Sequence, residues 1–236
     1  VTGTFINIAT VLLGTTIGVT VGSRLSESVQ QRVLYGLGLV TLVIGASLAL
    51  SWSGPGTTRQ TPLYVLGGIL LGGLAGEAIG IEQRLEQLGG WVQGRLSQAE
   101  HSTIAEGFVD ASLLFCVGSL AVVGSIQDGL TGNYETLATK AVLDGFASIA
   151  LAATLGWGVG LSVFTILVYQ GGLTLGASVF SGVLRGEALA ALTSAGGVTI
   201  IGISLKLLAI RDVKVANYLP ALVIAPALVG LASLVT

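Results

Sequence analysis

Long apolar runs separated by short charged stretches dominate this chain. Residues 1–23 carry no charge before Arg24, and residues 33–58 and 60–76 are again charge-free. A helix needs about 20 apolar residues to cross the hydrocarbon of a bilayer. The first three runs therefore predict spans at about 4–21, 33–51 and 62–77. Ser53-Gly54-Pro55-Gly56 breaks the chain between the second and third. A fourth span is predicted at 108–126. The stretch Gly145–Leu184 holds no charge over 40 residues. As one helix it would be about 60 Å long, twice the bilayer core. It divides into spans at 137–156 and 159–184, with Gly156-Trp157-Gly158 as the turn and Trp157 near an interface. Two further spans follow at 188–207 and 217–234, the last expected to kink at Pro220 or Pro226. Between spans three and four, Ile81, Leu85, Leu88, Val92 and Leu96 recur at helical spacing among Glu82, Arg84, Glu86 and Arg95. Segment 81–98 reads as an amphipathic helix lying on the membrane surface, or as a solvated helical loop.

The pattern predicts an all-α polytopic membrane helix bundle of about eight transmembrane helices, forming one domain over residues 1–236. Composition agrees. Apolar residues make up 52% and charged residues 9%, against about 25% charged in soluble domains. With 10 Lys+Arg and 12 Asp+Glu there is too little charge to wet a water-soluble surface. A soluble enzyme and a disordered chain are excluded. The net charge of −2 offers no basic face for nucleic acid. The first run has no basic segment ahead of it and is long, so it reads as a span and not as a cleaved signal. Basic residues set the orientation. With the N-terminus outside, Arg24, Arg32, Arg84, Arg95, Lys206, Arg211 and Lys214 lie inside, against Arg59, Lys140 and Arg185 outside. The bias places both termini outside a bacterial inner membrane.

Glycine supplies 36 residues, about twice its usual share. Two segments place it alike. Leu12-Leu13-Gly14 is followed by Gly18 and Gly22, and Leu70-Leu71-Gly72 by Gly76 and Gly80. Glycines four residues apart share a helix face, and a face without side chains admits a close neighbour. Gly14, Gly18, Gly22, Gly72, Gly76 and Gly80 are therefore candidate packing positions in an internal repeat of the kind that builds many transporters.

In such a chain an ionisable or amide group near a span is a candidate for chemistry, because burying it unpaired in hydrocarbon is costly. Glu77 ends the third span between apolar neighbours, as a cation site, a proton relay or an interfacial carboxylate. Asp110 is expected near a helix N-terminus, where the macrodipole favours a carboxylate. Gln127 and Asp128 sit where the fourth span meets a Gly-bounded turn, and Lys140 and Asp144 follow one helical turn apart. A lysine and two carboxylates on one outer hairpin could admit a cation, bind an anion or staple the hairpin. Gln170-Gly171-Gly172 is expected to interrupt the sixth span, either offering carbonyls to a cation or marking a close helix crossing. Asn7 and Asn217 are weaker cases of the same kind. His101, the single histidine, reads as a loop residue, and Cys116, the single cysteine, as a small core residue. The sequence carries no phosphate-binding loop, no dinucleotide fingerprint and no nucleophile–base pair. An enzyme, a metal site and a cofactor are not expected.

The polar residues also carry a resemblance. Phe115-Cys-Val-Gly, Gly124-Ser-Ile-Gln-Asp-Gly-Leu-Thr-Gly132, Lys140 through Asp144-Gly145, Tyr169-Gln170-Gly171-Gly172 and Asn217-Tyr218-Leu219-Pro220-Ala221-Leu222 stand in this order along the chain. In order and spacing the chain resembles the bacterial integral membrane proteins named domain of unknown function 554 (YqgA/YdfK-like), over essentially its whole length. The resemblance implies a multi-spanning prokaryotic membrane protein without an assigned substrate. It directs attention to Gln127, Asp128, Lys140, Asp144, Gln170 and Asn217. The expected function is a small inner-membrane transporter or channel-like protein with a cation as favoured solute or coupling ion, since the available groups are oxygen ligands suited to hard cations. The alternative is a non-transporting scaffold that packs against a larger complex through its glycine faces. The expected partners are the lipid bilayer and a small ion or solute, and a homo-oligomer is left open.

Overall fold

A computed structural model describes residues 1–22, 24, 26–84, 87, 103–116, 119–179 and 184–233. The regular elements among them are all helical. They are α1 (Thr2–Gly22), α2 (Glu27–Ala49) with a 3-10 turn at Leu50–Ser53, α3 (Thr61–Ile79), α4 (Ile104–Cys116), α5 (Ser119–Thr131), α6 (Glu135–Leu155), α7 (Gly158–Leu175), α8 (Gly186–Leu207), a 3-10 turn at Val215–Tyr218, and α9 (Ala221–Ala232).

Among the described residues, six helical segments are long and apolar enough to cross a membrane: α1, α3, α6, α7, α8 and Val215–Ala232. The fourth expected span differs from a single rod. It is built as α4 and α5, whose directions differ by 62°. Counted as one broken span, the pair raises the number to seven. The second expected span corresponds to α2, whose apolar part, continued through the 3-10 turn as Gly38–Ser53, is shorter than these six. The sixth ends at Leu175, nine residues before the expected boundary, with Gly176 as its C-cap. Within the last span, Pro220 caps α9 and Pro226 lies inside it. The predicted turn at Gly156–Gly158 is present, with Gly156 at φ +68°, a conformation that costs a glycine little. The surface segment expected at 81–98 lies outside the described residues beyond Arg84, apart from Gln87, and His101 lies outside them altogether.

The chain groups into two compact units. The first comprises Val1–Leu37, Gln83–Cys116 and Leu120–Ala177, and so holds α1, α4, α6, α7 and nearly all of α5. The second comprises Gly38–Glu82, Val117–Ser119 and Ser178–Thr236, with α3, α8 and α9. In the first, Val11, Ala111, Phe115, Cys116, Leu151, Leu155, Val159 and Ile166 form a buried apolar cluster. In the second, Val65, Ala191, Ala195, Ala221, Ala225 and Val229 do so. Outside these cores, large apolar side chains such as Leu74, Phe146 and Val168 are more than two-thirds exposed. Lipid, not water, is the solvent that tolerates so much apolar surface.

Glycine ladders join the helices within each unit, but in two different ways. On α1, Gly14, Gly18 and Gly22 are buried. A methyl group added at any of them would overlap α6, at Gly145 and Ser148, at Ile149, and at Ala153 respectively. Contact numbers rise together, so α1 and α6 run parallel. On α3, Gly68, Gly72 and Gly76 lie against Ala225, Ala221 and Asn217. Here one set of numbers rises as the other falls, so α3 and the Val215–Ala232 segment run antiparallel. The two similar sequence ladders thus serve opposite pairings. Gly80, placed in the second ladder by its spacing, does a different job. It is the left-handed C-cap of α3 at φ +70°, and its N–H donates to the carbonyls of Gly76 and Glu77.

Candidate functional site

The glycine ladder of α1 also aims a polar residue. Asn7 stands two turns before Gly14 on the buried stripe Gly3, Thr4, Asn7, Val11, Gly14, Gly18. The helix contact that buries Gly14 therefore carries Asn7 into the first unit, where it meets a charged pair. Lys140 and Asp144 lie one turn apart on α6, and both are buried, at 5% and 7% exposure. Lys140 Nζ forms an ion pair with Asp144 Oδ2. Asn7 Nδ2 donates to the same Oδ2 at 2.9 Å and to Gln170 Oε1 on α7 at 3.1 Å. Lysine, aspartate, asparagine and glutamine thus form one chain of polar contacts across three apolar helices.

Depth makes this chain unusual. Asp144 is the tenth of the 21 residues of α6. At 1.5 Å per residue it sits roughly 14 Å from the helix start, near the middle of a span. Isolated charges there cost several kcal/mol each, and here each charged group stands against one of opposite sign. The ionised carboxylate also orients the amides. A carboxylate only accepts, so Asn7 turns its NH2 toward Asp144, and Gln170 must then offer its carbonyl to that NH2.

The hairpin residues that the sequence grouped together separate in space. Asp128, buried on α5, accepts the Gly3 backbone N–H at 3.1 Å through Oδ2. It thereby occupies the N-terminus of α1, where unpaired N–H groups and the macrodipole favour a negative charge. Gln127 faces outward and accepts from Thr136 Oγ1 at 2.8 Å, closing the α5–α6 turn. Lys140, counted with the outer loop residues on charge grounds, is instead buried in α6. Asp110, expected at a helix N-terminus, is the seventh residue of α4 and buried; Glu106 occupies the first turn. The expected interruption at Gln170-Gly171-Gly172 is not seen. α7 runs unbroken from Gly158 to Leu175, and Gln170 serves through its side chain as an acceptor.

The second unit holds the other two candidates together. Asn217 Nδ2 donates to Glu77 Oε2, and Asn217 Oδ1 accepts the Glu82 N–H at 2.9 Å. Glu82 Oε2 in turn accepts the Ala216 N–H at 2.9 Å. The end of α3 is so latched to the Val215–Tyr218 turn, which Gly76 approaches closely enough to touch the Asn217 carbonyl. Glu82 was assigned to a surface helix by its spacing, and nothing in the sequence singled it out for this contact. A third polar group was also missed. Glu187 Oε1 accepts from Thr58 Oγ1 at 2.6 Å and from Thr61 Oγ1 at the start of α3. These partners lie 129 and 126 residues away, beyond any local spacing signal.

Apolar helices of crossing length, tied by glycine contacts around a few buried polar groups, define a multi-pass helical membrane protein. The chain belongs to the family described as Protein of unknown function (DUF554), whose model matches residues 2–230. It is 30% identical over 227 residues to the "Uncharacterized membrane protein YdfK" of Bacillus subtilis (strain 168), covering 96% of this chain and 95% of that one. It is 28% identical over 229 residues to the "Uncharacterized protein YqgA" of Escherichia coli (strain K12), covering 95% and 94%. No solved structure matches it.

Proposed function

We propose that this protein is a small transporter of the bacterial inner membrane, with a cation as solute or coupling ion, acting at the Lys140–Asp144 pair. One observation carries the reading: an ion pair buried mid-span and held by amides from two other helices. A purely structural role could be filled by apolar residues of similar volume at no cost in stability. Ionisable groups inside membrane helices mark ion and substrate paths far more often than they mark packing. Asp144 carries its neutralising cation on a tether, the Lys140 side chain. An incoming cation competes with that ammonium for the carboxylate, and the release of Lys140 is the local event that conformational change would follow.

Helix directions support a count of eight crossings. α3 and the last span are antiparallel, which requires an even number of crossings between them. α6, α7 and α8 are three, so the broken pair α4–α5 supplies the fourth. α1 and α6 are parallel, which requires an odd number. α3 and the broken pair are two, so α2 supplies the third. Eight crossings put both ends of the chain on one side. With Lys140 removed from the outer count, seven basic residues inside stand against Arg59 and Arg185 outside, which supports outside termini.

The test is reconstitution in sealed vesicles and a screen of ion and small-solute flux. Flux should appear with the wild-type protein and be lost in Asp144→Asn. Wild-type flux that survives unchanged in Asp144→Asn removes the site assignment, and absence of flux across the screen removes the transport reading. The scaffold reading relied on free glycine faces. Those of α1 and α3 are covered by α6 and by the last span of the same chain, so a scaffold would need another surface.

A further inference from the structure

Three polar atoms beside the ion pair have no hydrogen-bond partner among the described residues: Thr4 Oγ1, Asn7 Oδ1 and Gln170 Nε2. Their residues are 0%, 0% and 1% exposed. Buried polar atoms of this kind are rare and costly. The orphan oxygen of Asn7 and the orphan nitrogen of Gln170 belong to the same two amides that bond each other at 3.1 Å. They therefore share one neighbourhood. Thr4 stands on the same buried stripe of α1, one turn before Asn7. Space is present there as well. Gly171 is buried, yet a methyl group added to it would meet nothing outside its own helix closer than 3.9 Å, where it would touch the Thr4 methyl and Leu167. The buried glycines of α1 behave in the opposite way, since a methyl group on Gly14, Gly18 or Gly22 would overlap the neighbouring helix.

The orphan set selects a ligand. Asn7 Oδ1 only accepts, Gln170 Nε2 only donates, and the Thr4 hydroxyl does either. A bare metal ion would be repelled by the Gln170 N–H groups. An anion would be repelled by the Asn7 oxygen. The Lys140–Asp144 pair beside them is already neutral as a unit, so no net charge calls for an ion. An O–H group matches all three, donating to Asn7 while accepting from Gln170 and from the Thr4 hydroxyl. The room at Gly171 is of methyl size, which is also that of one water oxygen.

We propose that Thr4, Asn7 and Gln170 form a hydroxyl-binding subsite beside the ion pair, held by one water molecule at rest and by one hydroxyl of a carried polyol-like solute in transport. The subsite deepens the transport reading and rests on it for the second half of this statement only. Asn7 belongs to both sites, donating to Asp144 and presenting its oxygen to the hydroxyl. Any change at the carboxylate that turns the Asn7 amide also withdraws the acceptor, which couples ion and solute.

The test is an experimental structure in lipid nanodiscs at a resolution that shows ordered water, with and without excess glycerol as the probe, paired with glycerol uptake into vesicles. The wild type should show one peak within hydrogen-bonding distance of Thr4 Oγ1, Asn7 Oδ1 and Gln170 Nε2, replaced by a glycerol hydroxyl when the probe is present. Gly171→Ala should lose the peak while keeping the Lys140–Asp144 pair. Thr4→Val, close to isosteric, should weaken it if the alanine variant does not fold. No peak in the wild type, or a peak that persists unmoved in Gly171→Ala, overturns the subsite. A peak that glycerol never displaces, with glycerol uptake no faster than in protein-free vesicles, assigns the site to structural water and overturns the solute half. The outcome of the Asp144→Asn ion-flux screen is separate from all of these.

Discussion

Replacing Lys140 by methionine tests the central contact most directly. Methionine keeps an unbranched side chain of similar length and removes only the charge. Asp144 Oδ2 would then retain a single named donor, Asn7 Nδ2 at 2.9 Å, while the carboxylate stays about nine-tenths buried. Breaking one side of a buried pair costs about 3–5 kcal/mol, because a charge is left stranded. The expected loss of stability at neutral pH is about 3–5 kcal/mol. The double variant Lys140→Met, Asp144→Leu leaves no stranded charge and should return to within about 1 kcal/mol of the wild type. Reversible unfolding in mixed micelles, titrated with a denaturing detergent at neutral pH, reads all three proteins. If the single variant matches the wild type at neutral pH, water reaches the pair and the buried-site argument fails. If the double variant is as unstable as the single, lost packing and not a stranded charge explains the effect. Vesicle flux adds the functional half: the double variant should fold and carry nothing.

Other outcomes follow from the same geometry. Gly18→Ala should destabilise by about 1–3 kcal/mol, because the new methyl overlaps the Ile149 carbonyl and stands 2.9 Å from Ala152 Cβ. Gly230→Ala, where nothing lies within 4 Å, should be near neutral, and equal unfolding curves for the two would refute the ladder. Asn217→Ala removes the donor to Glu77 and the acceptor for the Glu82 N–H, at a cost of about 1–3 kcal/mol. Hydrogen exchange should quicken at Glu82 and leave the α1–α6 contact unchanged; a uniform change across the chain would contradict the latch. Reporter tags at residues 1 and 236 should be accessible from one side of the membrane, and a label at Arg24 from the other. Tags on opposite sides would break the eight-crossing count.

The two glycine ladders show how similar local sequence can meet different tertiary demands. Gly14 and Gly72 sit at matching places in matching words, and both are buried. Yet one meets a parallel helix and the other an antiparallel segment. A bare face accepts either direction, because close approach depends on the absence of side chains and not on chain sense. The direction is set by how many times the chain crosses between the two partners.

Hydropathy and charge spacing fixed much about this protein by themselves. Scarce charge determined the solvent, and apolar runs of bilayer length determined where most helices lie. Gly156 determined the turn between α6 and α7, since only a flexible residue serves well at φ +68°. The polar residues worth attention could also be named, because any such group inside a span stands out. What they do was decided elsewhere. Asn7, seen as a minor case, is the hub that joins Asp144 and Gln170 across 137 and 163 residues. Asp128 was grouped with Lys140 by proximity in the chain, but turns to the start of α1, 125 residues away. Gln170-Gly171-Gly172 looked like a break and is continuous helix, with the Gln170 side-chain oxygen, not an opened backbone, meeting the Asn7 amide. Periodicity and hydropathy are local properties of a chain. The partner of a buried polar atom is chosen by which helices pack together, and that choice exists only once the bundle has formed.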